Sequence, residues 1–167
     1  MKKCFLSVFS FIVIFTACNS ETDKALFKSA GEMYKVKNYA GAASEYEKLL
    51  TQFPNSSYSE DCYFALAGIY QMEKIPNLKK EDAMNKAVNY FQKYYSKFPN
   101  KERTPKVLFM IGYIRANELK DYDSARLSYN EFLSRYPQHE LASSVKLELE
   151  NLGKTPEQIL QKNNAVK

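Results

Sequence analysis

The sequence predicts an all-α fold: a stack of antiparallel helical hairpins, about three in number, closed by a C-terminal capping helix. Three observations predict it. The first is an internal register repeated three times, in which Ala is followed by an aromatic four residues on and by Pro after twelve: Ala42, Tyr46 and Pro54; Ala87, Phe91 and Pro99; Ala125, Tyr129 and Pro137. The second is an aromatic immediately before each of those prolines, namely Phe53, Phe98 and Tyr136. The third is the supply of rings, 13 Tyr and 11 Phe in 167 residues, which suits a fold made of many small helix–helix interfaces. In each copy the small Ala lets two helices approach and the aromatic one turn later fills the space beside it. Pro then ends the helix, because it lacks a backbone N–H and its ring clashes with the preceding turn.

The elements follow in chain order. Lys2 and Lys3 precede an apolar run from Phe5 to Ala17, and small residues lead into Cys18. This is a secretory signal pattern. As a helix the run would rise only about 20 Å, short of the ~30 Å hydrocarbon core, so a permanent span is the poorer reading. Phe15-Thr16-Ala17-Cys18 resembles a bacterial lipobox, in which the Cys thiol is alkylated with diacylglycerol and becomes the new N-terminus. Residues 1–17 are therefore expected to be a lipoprotein signal peptide, Cys18 the lipidation site, 18–22 a polar tether and 23–167 the helical domain. Acyl chains contribute ~0.8 kcal/mol per buried methylene, and two or more make attachment durable. An ordinary cleaved signal with an incidental Cys is the alternative. Asn19, which is not Asp, implies by likeness to other lipoproteins the outer membrane, with the domain on its periplasmic face.

Helices are predicted at 22–36, 39–53, 57–72, 80–97, 105–119, 122–135, 139–151 and 156–163, forming repeats 23–56, 57–101 and 104–138 with capping helices over 139–163. Ser57 with Glu60 and Thr155 with Gln158 read as capping boxes, and Thr104-Pro105 and Thr155-Pro156 place Pro at the first helical position behind a capping hydroxyl. Pro54 and Pro99 lie 45 residues apart and Pro99 and Pro137 lie 38 apart, so the second repeat carries an insertion, assigned to the polar stretch 73–82. In the cap, Leu141, Val145, Leu147, Leu149 and Leu152 are expected to face the stack, with Lys146, Glu148 and Glu150 toward water.

These positions resemble the tetratricopeptide repeat, whose usual period is 34 residues. Tyr63, Leu66, Ala67 and Tyr70 fall where that repeat places its large, apolar, small and aromatic residues. Leu108, Ile111 and Gly112 match in the third copy, with Arg115 in the aromatic place, and Leu26, Ser29, Ala30 and Met33 stand in the first. Residues 23–137 resemble bacterial repeat lipoproteins of the BamD/YfiO-like group, which combine a lipobox, a tether and hairpins ending in aromatic-Pro. The stretch Asp121 to Pro137 also resembles the repeat domain of the CpoB/YbgF-like proteins. The first resemblance implies a right-handed superhelical stack and a non-enzymatic, lipid-anchored scaffold for protein–protein interaction in outer-membrane protein assembly. The second implies a coordinator of peptidoglycan synthesis and envelope constriction. A third reading, from a different class, is a repeat domain that hydrolyses cell-wall material.

Stacked hairpins curve, and the first helix of each lines the inner surface. Phe27, Phe64 and Phe109 take equivalent inward positions, with Tyr34, Gln71, Met72, Tyr113 and Asn117 nearby and Lys24, Lys35, Asp61 and Lys106 at the rim. Two readings fit these rings: a groove for other envelope proteins or extended peptides, or packing within the repeats. The Lys/Asn pattern with which some such repeats clamp a terminal carboxylate is not recognisable.

Reactive chemistry has little to work with. His139 is the one His and reads as a solvated turn residue, so neither a His-based nucleophile system nor a multi-His metal site has partners. Cys62, in an apolar helical run, reads as a buried, inert thiol. Glu45, Glu47, Glu60, Asp61, Glu81 and Asp82 stand beside Lys in helical surface patterns and read as solvated faces. The five Gly are isolated, so no phosphate-binding loop exists, and no cofactor or metal is expected. Net charge is +5, or +3 without Lys2 and Lys3 (22 minus 19), which marks no nucleic-acid surface. Lys79-Lys80 and Lys101, Arg103 and Lys106 could meet anionic lipid headgroups or lie in solvated turns.

Overall fold

The computed structural model describes residues 22–165, so the expected signal peptide, the expected lipidation site Cys18 and the expected tether up to residue 21 lie outside the described residues. Within them the chain forms α1 (Asp23–Lys35), α2 (Tyr39–Gln52), α3 (Ser59–Gln71), α4 (Lys80–Lys97), α5 (Thr104–Asn117), α6 (Tyr122–Arg135), α7 (Ala142–Asn151) and α8 (Pro156–Ala165), and no strand. Helix ends fall within three residues of those read from the sequence. The helices pair as hairpins α1–α2, α3–α4 and α5–α6, and α2–α3, α4–α5 and α6–α7 contacts join one hairpin to the next.

Local chemistry sets the helix ends. Asn38 and Asp121 occupy the same N-cap position in the first and third hairpins and accept from the backbone N–H of Gly41 at 3.0 Å and Ser124 at 3.2 Å. Lys37 (φ 61°) and Lys120 (φ 56°) stand just before them in the left-handed region, which turns the chain into the second helix. Thr155 and Gln158 form the expected reciprocal box at 2.9 and 3.4 Å. The other two cap readings are corrected. Ser57 caps nothing: α3 begins at Ser59, and the neighbouring Ser56 hydroxyl accepts from Tyr58 N–H at 3.1 Å. Thr104 lies inside the first turn of α5, where its hydroxyl donates to Phe98 C=O at 2.6 Å and accepts from Lys101 N–H at 3.1 Å.

The links between hairpins repeat as closely as the hairpins do. After each aromatic, the N–H three residues on returns to its carbonyl, and the N–H three further returns to that residue: Ser56 to Phe53 and Ser59 to Ser56; Lys101 to Phe98 and Thr104 to Lys101; His139 to Tyr136 and Ala142 to His139. His139 is consequently not a free turn residue. It is half-buried, its ring meets Phe132 edge-on at 5.7 Å, and Nδ1 accepts from Leu141 N–H, as the Ser56 hydroxyl does from Tyr58.

Burial follows the repeat. Ala42, Ala87 and Ala125 are fully buried, as are Ala30 and Ala67 of the facing first helices, and Tyr46, Phe91 and Tyr129 lie in the core beside them. A large cluster runs from Leu26 through α2, α3 and α4 to Ile114, and a smaller one joins Leu108 and Ala116 to α6 and α7. In the cap, Val145 is buried and Leu141, Leu149 and Leu152 pack on the smaller cluster, but Leu147 is 59% exposed, contrary to expectation. It stands at the register position of Phe64 and Phe109, on an inner face that continues past the third hairpin.

The insertion is divided. Residues 72–79 connect α3 to α4, with Glu73 and Asn77 at positive φ and Ile75 and Leu78 packed on the core. The remainder lengthens α4 itself, which has 18 residues against 14 in α2 and α6; the added first turn buries Ala83, next to the buried Met84 that takes the place of Tyr39.

Candidate functional site

The inner face holds a concavity of about 500 Å³ lined by Tyr34 of α1, Tyr46 of α2, Phe64, Ala65, Gly68 and Ile69 of α3, and Met72 at the C-terminal end of α3. Three of the sequence-predicted groove residues, Tyr34, Phe64 and Met72, meet there. The Tyr34 hydroxyl points at the Met72 sulfur at 3.8 Å, and its ring meets Tyr39 edge-on at 5.4 Å. Phe64 is half-buried, with Phe91 and Tyr94 edge-on behind it and the Arg103 guanidinium 5.2 Å from its centre. It therefore serves the core with one side and the concavity with the other. Gly68 makes the hollow possible, because a Cβ there would meet nothing within 4 Å; Gly31, at the matching position of α1, is equally open.

The other predicted residues are not gathered into it. Phe27 stacks on Tyr58 at 4.6 Å and tilts against Tyr46. Phe109 leans on Tyr113 at 6.0 Å and on Tyr129 at 6.3 Å. Asn117 donates to the Tyr113 carbonyl and to Glu148, and lines a separate hollow of about 230 Å³ with Lys120, Tyr122 and Leu147. Gln71 is half-buried and lines neither hollow. Tyr46, Ala65, Gly68 and Ile69 were missed as lining residues. Tyr46 belongs to the repeat's core register, and Gly68 reads in sequence as one more isolated helical glycine. The signal available was the shared register of Gly31 and Gly68, four residues after Phe27 and Phe64.

Two carboxylates assigned to solvated faces, Glu47 and Glu60, tie helices together instead, and Glu131 does the same. Glu47 of α2 accepts from the hydroxyls of Tyr70 and Tyr90 at 2.7 Å each, with those two rings stacked at 5.7 Å. Glu60 accepts from Tyr94 at 2.8 Å, and Glu131 from Tyr95 at 2.6 Å. Burial first, and then the hydrogen bond to the carboxylate, pushes all four phenols up, Tyr95 to about 12 and the others further. Three of the five basic groups considered for lipid contact are clips of the same kind. Lys80 reaches Glu118 at 2.8 Å and Glu73 at 3.4 Å, Lys101 reaches Glu60 at 3.3 Å, and Arg103 pairs with Asp61. Such exposed pairs are worth about 0–1 kcal/mol each. Cys62 is fully buried, and burial followed by the charge of Asp61 raises its thiol to about 12. No cluster of three or more His, Cys, Asp or Glu that could hold a metal occurs among the described residues, and no helix there is long and apolar enough to cross a membrane.

Against known proteins, the tetratricopeptide repeat family matches residues 24–56 and 106–139, the first and third hairpins. The second, with its long connection and lengthened α4, lies outside both matches. The outer membrane protein assembly factor BamD of Xylella fastidiosa strain Temecula1 is 22% identical over 166 residues, covering 84% of this chain and 54% of that protein; the same factor from strain 9a5c gives the same values. The chain thus spans about half the length of the curated relatives it matches. Over the described residues it is all-helical, and its first and third hairpins match the tetratricopeptide repeat.

Proposed function

We propose that this chain is a non-catalytic, lipid-anchored scaffold at the periplasmic face of the outer membrane. In this reading it serves outer-membrane protein assembly by receiving a partner segment in the concavity between α1 and α3. The repeats support an interaction scaffold, the likeness to the BamD factors over most of the chain supports the assembly role, and the lipobox-like Phe15 to Cys18 supports the anchor. One observation carries the binding reading: an open hollow of about 500 Å³ whose walls are Tyr34, Tyr46, Phe64, Ile69 and Met72, with a glycine where a side chain would close it. A wall of that composition takes a bulky apolar side chain, and the unbranched, polarisable Met72 adapts to its shape.

The test is photo-crosslinking in intact cells from an unnatural side chain at Tyr34, with mass spectrometry of the captured protein, beside Gly68→Leu. Leu at 68 projects into the hollow and should abolish capture while circular dichroism stays unchanged. The expected captives are components of the outer-membrane insertion machinery. Capture that survives Gly68→Leu would remove the concavity from the account, and capture of cell-wall synthesis proteins would move the chain to the CpoB-like role.

A further inference from the structure

We propose that the outer face of α4 is a second docking surface, separate from the concavity, for an extended acidic segment of a partner protein. From Ala83 to Lys97 the helix contains no Asp or Glu, but it presents Lys86, Lys93 and Lys97 in one stripe, all exposed. Each ammonium lies over a tyrosine ring: Lys86 over Tyr70 at 4.9 Å, Lys93 over Tyr90 at 5.3 Å and Lys97 over Tyr63 at 5.5 Å. Unlike Lys80, Lys101 and Arg103, none of the three forms an ion pair among the described residues. A ring face restrains a lysine without neutralising it, so the stripe is ordered and still cationic. One carboxylate, Glu47, lines the same face beside Lys86 and Lys93, and it accepts from Tyr70 and Tyr90, the tyrosines beneath those two lysines.

Beside the lysines runs a file of exposed amides and a hydroxyl, Asn85, Asn89, Gln92 and Ser96, none with a side-chain hydrogen bond among the described residues. Residues four apart on a helix are separated by about 6 Å, close to the roughly 6.6–6.8 Å two-residue repeat of an extended chain. Asn85, Asn89, Lys93 and Lys97 therefore step along the helix nearly in time with alternate residues of a strand-like peptide. The amides can serve its main-chain N–H and C=O groups while the lysines meet its carboxylates. Three adjoining depressions of about 440, 350 and 290 Å³ follow this line and share Lys93. The surface is particular to α4, because the corresponding positions include Glu47 in α2 and Leu127 and Glu131 in α6.

The test uses the purified full-length chain in detergent and a fluorescein-labelled twelve-residue peptide of alternating Glu and Thr, read by fluorescence anisotropy. Binding should weaken with added salt and fall about tenfold or more when Lys86, Lys93 and Lys97 are all replaced by Gln. It should survive replacement of the same three by Arg, fall about fivefold with Asn85→Ala and Asn89→Ala together, and ignore Gly68→Leu. Absence of binding to the parent chain overturns the proposal. So does an unchanged affinity in the asparagine variant, which would reduce the surface to charge alone. Binding of phosphatidylglycerol vesicles that competes with the peptide and depends on the same lysines would assign the face to a lipid surface instead.

Discussion

A methyl group added at Gly112 and one added at Gly68 meet opposite surroundings. At Gly112 the new Cβ would lie 2.5 Å from Cε1 of Tyr129, a ring fully buried between α5, α6 and α7; at Gly68 it would meet nothing within 4 Å. Both residues are in helix interiors, where Ala is favoured over Gly by roughly 0.5–1 kcal/mol. Gly68→Ala should therefore raise stability by about that amount. Gly112→Ala must displace Tyr129, and overpacking of about 1–3 kcal/mol outweighs the helical gain. Urea denaturation of the two variants decides it: equal upward shifts would mean that Tyr129 moves freely and that the close approach of α5 and α6 is not enforced. The sequence made one of these glycines legible and not the other. Gly112 aligns with Ala30 and Ala67, the small position of the repeat, so its crowding is written in the register. Gly68 is defined by what its neighbours leave open, and only the packed helices show that.

At the scale of elements, every helix was readable, because apolar spacing, prolines and N-cap residues act within a few positions of one another. The links between hairpins were readable in place but not in wiring. Thr104 before Pro105 has the appearance of a cap, yet its hydroxyl reaches back across Pro99 to the carbonyl of Phe98, six residues upstream, and is fully buried in doing so. Ser59, its counterpart, reaches Pro54 C=O at 3.4 Å, and Ala142 in the third copy makes no such bond. Cap rules look forward into the helix, so a turn that closes backward escapes them. Thr104→Val keeps the shape but removes both bonds of the hydroxyl, leaving the Phe98 carbonyl and the Lys101 N–H only the 3.5 Å bond between them, and should cost about 1–3 kcal/mol. Ser59→Ala, which gives up a longer bond, should cost less. Thermal unfolding of the pair checks the order; the reverse order would make the Thr104 hydroxyl incidental.

Across the whole molecule, the abundance of tyrosine foretold packing but not what the hydroxyls do. Glu47 and Glu60 had every local sign of solvated surface, since a helical carboxylate on a polar face looks the same whether or not a tyrosine from another helix ends on it. In the fold, Tyr70 and Tyr90 tie the second hairpin to α2, Tyr94 closes α3 on α4, and Tyr95 ties α4 to α6. Each of these phenols is held above its ordinary value near 10, by burial first and by its carboxylate partner second. A raised pKa means that the folded chain holds the proton more tightly than the unfolded chain. The stabilisation is thus complete below pH 10 and is lost as pH climbs through the folded values, about 12 for Tyr95 and beyond that for the rest. Because these bonds span all three hairpins, their loss should not peel the stack from one end. The expected result is a level of helicity unchanged up to about pH 10, then a cooperative fall above it in which phenolate absorbance at 295 nm and loss of circular dichroism at 222 nm rise together. A smooth ionisation of all the tyrosines around pH 10 with helicity intact would show that the carboxylate–tyrosine bonds are dispensable. Burial of apolar rings alone would then account for the coupling between hairpins.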